Sequence, residues 1–310
     1  RKAKNGDVDG GLAEAVEVVK LGHMMESGQN VLINWLVGSS VKQIGLSSLR
    51  QIGRQTTLTA DQAKSKSQQL EQYSEALAGL ITATKFEYAG SDSYRAEWEH
   101  LDTLYRSYSV GFDINGKEVA PPGLWMLTAL DYSGLTRFYY WPNQSWRLLI
   151  EKQERLVAAV QADCMAGNLN PPRQGHSQRT GFGRLLEPNA IGKYLADMGE
   201  ISMGGVATKR CNETLAVSAT QTVLAISAYQ KDNQKLPITL DELVPNYLTS
   251  VPIDPYSGKA IIYVPEKKAV YSVGSNRIDE GGNATADSAL YPNAENPWQT
   301  MLDPTFGVSK

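Results

Sequence analysis

Apolar residues recur at three- and four-residue steps along the first two thirds of the chain, and that spacing predicts one helix after another. In GGLAEAVEVVKLGHMME, Leu12, Ala15, Val16 and Val19 fall near one face, after the start and turn signal NGDVDGG. The next run, QNVLINWLVGSSVKQIGLSSLRQIG, carries Leu32, Trp35, Leu36, Ile44, Leu46 and Leu49, and Gly53 can close it. The short SG link between the two runs predicts an antiparallel pair. Thr59 then reads as an N-cap, with Asp61 in a first turn whose dipole favours negative charge. The helix beginning there is solvated until Leu70 and packed through Leu77, Leu80, Ile81 and Phe86.

Between 111 and 146 the pattern changes to Gly, paired prolines and a dense group of Phe138, Tyr139, Tyr140, Trp141 and Trp146. Such rings can seal helix ends, and Tyr140, Trp141 and Trp146 can also form a stacking platform for a sugar or base. Helical spacing returns in SWRLLIEKQERLVAAVQADC and gives way to a polar loop over 167–184. Helices resume from about 190 to 232. In the last of them, Leu215, Val223, Leu224, Ile226 and Tyr229 mix three- and four-residue steps. One end can therefore pack on the helical body while the other supports the C-terminal tail. That tail has a signal for each element. Pro237 stops the helix, Thr239 caps a short TLDELV turn, Asp254 and Pro255 begin a turn, and Gly258 supplies positive φ before two β-prone runs and an acidic Gly-rich loop.

Composition narrows the picture. A chain of 310 residues, 42% hydrophobic, is long enough for one large or two ordinary domains. Its net charge of −3 provides no field to hold a polyanion, which argues against nucleic acid. VLINWLVGSSV is the most apolar stretch and is too short to cross a bilayer. The chain opens RKAKNGD without a methionine, so an N-terminal segment, such as a signal peptide or membrane anchor, is expected to have been removed. Cys164 and Cys211 either pair in an oxidising compartment or are two buried thiols. His23, His100 and His176 are scattered and read as surface or capping residues.

No phosphate-binding loop, nucleophile elbow or zinc-protease signature is present, and GFGRLL at 181 lacks the remaining glycine spacing of a nucleotide loop. Glu97 with Glu99, and Asp241 with Glu242, are spaced so that they point to different faces of a helix. No catalytic residues are assigned.

The order long helix, LPITLDELVPNYL, VPIDPYSGK, IIYV, VYSVG and DEGG resembles the C-terminal module of the major pseudopilin of type II secretion systems. Upstream, NGDVDGGLAEAVEVVKLGHMM, LINWLVGSSVKQIGLSSL and YWPNQSWRLLIEKQERL resemble a family of exported bacterial proteins in which a large helical region precedes such an ending. The resemblance implies an exported, periplasmic or envelope-associated protein with an N-terminal membrane segment and protein partners in the envelope. It implies no catalytic activity. It also implies a calcium loop between Ser272 and Asp287, with Asp279 and Asp287 as side-chain ligands, although Asn276 and Arg277 replace the family's Asp and Gly. The alternative is a turn held by Asx-type hydrogen bonds.

The expected fold is therefore mainly α, with a helical domain over 1–210 and a small α+β pseudopilin-like module, a long helix plus β-hairpin, over 211–310. Val19, Leu32, Trp35, Leu36, Leu77, Leu80, Leu149 and Leu156 are expected in the core of the helical part. Three functions are open: a non-enzymatic envelope protein that docks on other proteins, a binding protein or hydrolase for a cell-surface glycan using 138–146, and an anchored subunit of a larger membrane complex.

Overall fold

The computed structural model describes residues 2–28, 31–74, 76–93, 111–112, 118–119, 136–166, 169, 187–194, 196, 205–282, 284–285 and 304–308. Among them the protein is mainly helical, with a small antiparallel sheet near its C-terminus. The helices are α1 (Val8–Ser27), α2 (Leu32–Gln55), α3 (Ala60–Glu71), α4 (Leu77–Ser93), α5 (Thr136–Tyr139), α6 (Pro142–Gln161) and α7 (Val206–Asn233). A two-residue pairing joins β1 (Gly111–Phe112) to β2 (Glu118–Val119). The strands β3 (Ile262–Val264), β4 (Ala269–Tyr271), β5 (Ala284–Thr285) and β6 (Pro304–Gly307) form the larger sheet in the order β3-β4-β6-β5.

The chain divides into two compact units. The first contains 1–83, 160–170 and 205–310, and the second contains 84–159 and 171–204. The first thus draws on segments from both sides of residue 210.

Local chemistry sets the helix limits. Asp7 caps α1 by accepting from Gly10 N at 2.9 Å. Thr59 and Gln62 cap α3 reciprocally, with Gln62 N donating to Thr59 Oγ1 at 3.1 Å and Thr59 N to Gln62 Oε1 at 2.8 Å. The expected single helix through Phe86 is broken between Glu71 and Leu77. Gly53 does not end α2, which runs on to Gln55. Its missing side chain instead makes room for α7, since a Cβ there would lie 3.1 Å from Leu224 Cδ2. Its carbonyl accepts from Ser227 Oγ at 2.5 Å.

Helices α1 and α2 lie antiparallel and unusually close. A Cβ on Gly22 would meet Lys42 N at 2.4 Å and the Gly38 carbonyl at 2.6 Å, and one on Gly45 would meet Val19 N at 2.8 Å. Helix α7 is the centre of the first unit. It packs on α2 and α3 and also touches β4 and β6, and no residue from Val206 to Lys231 is exposed. Beyond it, Gln234 turns the chain at φ +54, three residues before Pro237.

The hairpin β3–β4 pairs Ile262 with Tyr271 and Val264 with Ala269. A third strand, β6, was not read from the sequence. It covers the other edge of β4 by pairing Val270 with Phe306, and β5 adds a short parallel contact to β6.

Val19, Leu32, Trp35 and Leu80 are buried as expected. Leu36, Leu77, Leu149 and Leu156 are only half-buried, and Ile44 and Phe86 are exposed. Among the described elements α7 contributes the most buried apolar residues, including Leu215, Val217, Val223, Leu224 and Ile226.

The glycine contact makes one prediction. Gly22→Ala gains about 1 kcal/mol of helix propensity, yet its methyl group meets backbone on α2 and overpacking of this kind costs roughly 1–3 kcal/mol. A lower urea midpoint is expected, and an unchanged or higher one would show that the helices can separate freely.

Candidate functional site

The close approach of α1 and α2 puts Glu26 beside Lys42, and α7 supplies Glu213. Lys42 Nζ donates to Glu26 Oε2 at 2.5 Å and to Glu213 Oε2 at 3.4 Å. Their side chains are between 0% and 3% exposed. Helix α4 closes over them, because a Cβ on Gly79 would collide with the Glu26 carbonyl oxygen. The second oxygens, Glu26 Oε1 and Glu213 Oε1, have no hydrogen-bond partner among the described residues.

Two carboxylates and one ammonium in a dry interior leave one negative charge in excess, and removing charge from water is expensive. The cluster relieves this by holding a proton. Burial, reinforced by the Glu213 carboxylate, pushes the Glu26 carboxyl up to about 8, against the opposing pull of Lys42. Burial lowers the Lys209 ammonium on α7, although Glu213 and Glu26 oppose the shift. His23 also borders the cluster, with Nδ1 3.8 Å from Glu26 Oε2 and its ring 5.3 Å from that of Tyr73. Burial, and then the Lys42 charge, lower its pKa. His23 is thus the partly buried neighbour of an ionic cluster rather than a surface or capping residue, while His100 and His176 lie outside the described residues. Sequence reasoning missed Glu26, Lys42 and Glu213. One signal was available: Lys42 is the lone charge between Leu32 and Leu49 and falls on the same face as Trp35 and Leu49.

The other expected site residues separate into distinct places. Cys164 and Cys211 are bonded to each other, and Arg210 lies against the bridge, its Nη2 donating to the Ala162 carbonyl at 2.6 Å. The aromatic platform does not form as expected. Tyr140 and Trp146 are buried with Leu149, Ile150 and Ile191, which leaves Trp141, 40% exposed, as the accessible ring of the three. Its indole Nε1 donates to the Arg137 carbonyl at 2.6 Å. The group therefore seals the start of α6, with Asn189 Oδ1 accepting from Trp141 N at 2.8 Å and Ser145 Oγ at 2.9 Å. Glu242 caps its turn, accepting from Ile238 N at 2.7 Å and Thr239 N at 3.1 Å, and takes the Tyr229 hydroxyl as well. Glu97 and Glu99 lie outside the described residues.

In the C-terminal turn, Asp254 is fully buried and accepts from Tyr256 N at 3.0 Å and Ser272 Oγ at 2.7 Å. Gly258, at φ +68, donates to the Asp254 carbonyl at 2.9 Å. Within the loop expected to hold calcium, Asp279 Oδ1 accepts from Tyr271 Oη at 3.1 Å and Gly281 N at 2.9 Å. Asn276 Oδ1 accepts from Ile278 N at 3.0 Å. The Lys267 ammonium donates to the Gly281 carbonyl, and Arg277 reaches the Met165 carbonyl at 2.9 Å. Calcium needs six to eight converging oxygens. Among the described residues, Asx-type bonds engage Asp279 Oδ1 and Asn276 Oδ1, and a lysine engages the Gly281 carbonyl. Asp287 lies outside the described residues, which contain no group of three or more His, Cys, Asp or Glu able to hold a metal.

A pH experiment addresses the proton on Glu26. The folded protein keeps it up to about pH 8, whereas an unfolded glutamate releases it near pH 4.3. The linked stability is therefore complete below about pH 4 and is lost as pH rises towards 8. Glu26→Gln, which has no proton to release, should flatten this decline in urea unfolding and be the more stable protein at about pH 8–9. Lys42→Met, which strands two buried carboxylates, should cost about 3–5 kcal/mol at that pH and less at about pH 5. Parallel pH profiles for the parent and Glu26→Gln would overturn the assignment.

Set against known proteins, the chain matches no family model, no curated protein and no solved structure.

Proposed function

We propose that this chain is a non-enzymatic, exported envelope protein that works by docking on other proteins through a C-terminal module of pseudopilin type. The observation that carries this reading is the continuous succession from 205 to 282. A 28-residue helix leads into a capped turn over Leu240–Leu243, the Asp254 turn and an antiparallel hairpin, in the order that the resemblance implies. Two further features favour it. The Cys164–Cys211 bond suits an oxidising compartment. The ionic cluster is sealed among helices, a setting for fixing packing rather than for meeting a substrate. The glycan reading is weakened by the burial of Tyr140 and Trp146.

The docking face should be on the module, where Ile238, Ile253 and Ile278 are exposed. A photo-reactive amino acid placed at each position in turn, in the full-length protein within its source cells, should give discrete adducts with envelope proteins from at least one position. Cys164 and Cys211 should resist alkylation until reduced. Absence of adducts at all three positions, or free thiols in a cytoplasmic fraction, would overturn the reading. Extraction of the adduct only with detergent would mark an anchored complex.

A further inference from the structure

The two sulfurs of the Cys164–Cys211 bond have different surroundings. Cys211 belongs to α7 and is 0% exposed, whereas Cys164 is 9% exposed. Cys164 also opens a short turn, Cys164–Ala166, in which Met165 and Ala166 are exposed, as is Asp163 before it. A reductant arriving from solvent therefore meets Cys164 first. Arg210, itself buried, lies across both sulfurs, with Nη2 3.5 Å from Cys164 Sγ and 3.8 Å from Cys211 Sγ. A disulfide sulfur is a weak acceptor and gains little from a guanidinium, but a thiolate gains a charge-assisted bond. Arginine keeps its proton even when buried, so positive charge already stands where a thiolate would form. A neighbouring arginine favours the thiolate, and whatever stabilises the reduced form makes a disulfide easier to open.

The turn that carries Cys164 is otherwise held by a few bonds. Met165 N donates to Asp163 Oδ1 at 2.9 Å and Ala166 N to the Asp163 carbonyl at 2.8 Å. Its outward links run to the C-terminal tail. Arg277 donates to the Met165 carbonyl at 2.9 Å, and a Cβ on Gly258 would collide with Met165 Sδ. The bond thus fastens to α7 a turn that touches both the Asp254 turn and the 274–282 loop. Helix α7 is covered separately, by α2, α3, β4 and β6.

We propose that the Cys164–Cys211 bond is a reducible switch, opened by a dithiol, that releases the turn at 163–166 from α7 while the core of the first unit stays folded. A thiolate of the dithiol attacks Cys164 Sγ, the bond between the two sulfurs breaks, and its electron pair leaves on Cys211 as a thiolate facing Arg210. The second thiol of the reagent gives its proton to solvent and attacks its own sulfur in the mixed disulfide. Cys164 leaves with that electron pair and takes up a proton. The reagent ends as a disulfide, and the protein holds the two electrons it has lost. Burial decides which sulfur is attacked, and Arg210 decides which one leaves. With the bond open, Met165 is free to withdraw from Gly258 and from Arg277, so the redox state reaches the 274–282 loop. The switch is chemistry within one unit and stands independently of the docking reading.

Equilibration of the full chain with mixtures of reduced and oxidised dithiothreitol, followed by alkylation and mass measurement, gives the equilibrium constant for opening. Arg210→Gln should shift it about tenfold towards the disulfide, about 30 mV for this two-electron couple, and Arg210→Lys, which keeps the charge, should stay near the parent. Hydrogen exchange needs no variant. On reduction the Met165 and Ala166 amides should exchange about tenfold faster or more, while amides from Val217 to Ile226 keep their protection. The order of attack is read from single thiols: in Cys211→Ser, Cys164 should react with methyl methanethiosulfonate in the folded protein, and in Cys164→Ser, Cys211 should react only after denaturation. An equilibrium indifferent to Arg210→Gln, or faster labelling of Cys211 than of Cys164, would overturn the proposal. So would loss of protection along α7 on reduction, which would make the bond a staple of the whole fold.

Discussion

Helix α7 has no solvent face over most of its length, and the first unit is organised by that constraint. A helix buried on every side needs cover from several directions, and no single neighbouring segment can supply it. The cover comes from α2 and α3 before it in the chain and from β4 and β6 after it, which is why one compact unit is assembled from distant segments. Its polar residues must then find partners inside. Thr220 and Thr222 donate to the carbonyls of Ala216 and Ser218, four residues back. Ser218 and Ser227 reach out to the carbonyls of Ile253 and Gly53. The latter two tie the helix to the Asp254 turn on one side and to α2 on the other, so hydroxyls that would weaken a solvated helix here fix its neighbours.

The Glu26–Lys42–Glu213 cluster acts on the same packing from within. Apolar residues of similar volume would fill this space at no loss of stability in many proteins, so its contribution is better sought in specificity. Lys42 can reach both carboxylates only when α1, α2 and α7 are in one register, and it reaches Glu26 only because Gly22 and Gly38 let two backbones come close. A slipped register would leave a buried ammonium or carboxylate unpaired, a far larger penalty than a misplaced leucine. Arg50 repeats the device one face away, donating to Thr220 Oγ1 at 2.7 Å while its guanidinium lies 5.1 Å from the centre of the Phe306 ring. Strand β6 is thereby held to the helices as well as to β4.

The legible parts of the fold were those governed by neighbours in sequence. Helix periodicity located α1, α2 and α7, and the caps at Thr59 and Thr239 and the positive φ at Gly258 follow from the chemistry of a few adjacent residues. What stayed hidden depends on separation along the chain. Nothing near Pro304 signals a strand, because its partner β4 lies more than thirty residues earlier. Gly53 has the local signature of a helix end, yet its role is set by Leu224. Leu36 and Ile44 have the composition of core residues, yet Leu36 is only half-buried and Ile44 is exposed. Apolar content alone does not say which of two faces the protein covers itself. The ionic cluster was the hardest to see, since Glu213 is 171 residues from Lys42 in the chain and Glu26 and Glu213 each alone resemble a solvated charge.

The loop after β4 shows how a covalently attached cation changes such a turn. A backbone carbonyl carries a partial negative charge that a nearby cation can satisfy. Lys268, at φ +49, ends the hairpin turn, and the adjacent Lys267 crosses to the Gly281 carbonyl. Arg277, also in the left-handed region at φ +60, carries its guanidinium to the Met165 carbonyl, next to the Cys164–Cys211 bond. An ammonium from the turn between β3 and β4 is always present at the loop, whereas a free ion occupies it only in proportion to its concentration. The geometry of residues 274–282 is therefore tied to the hairpin and to the bridged segment around Cys164.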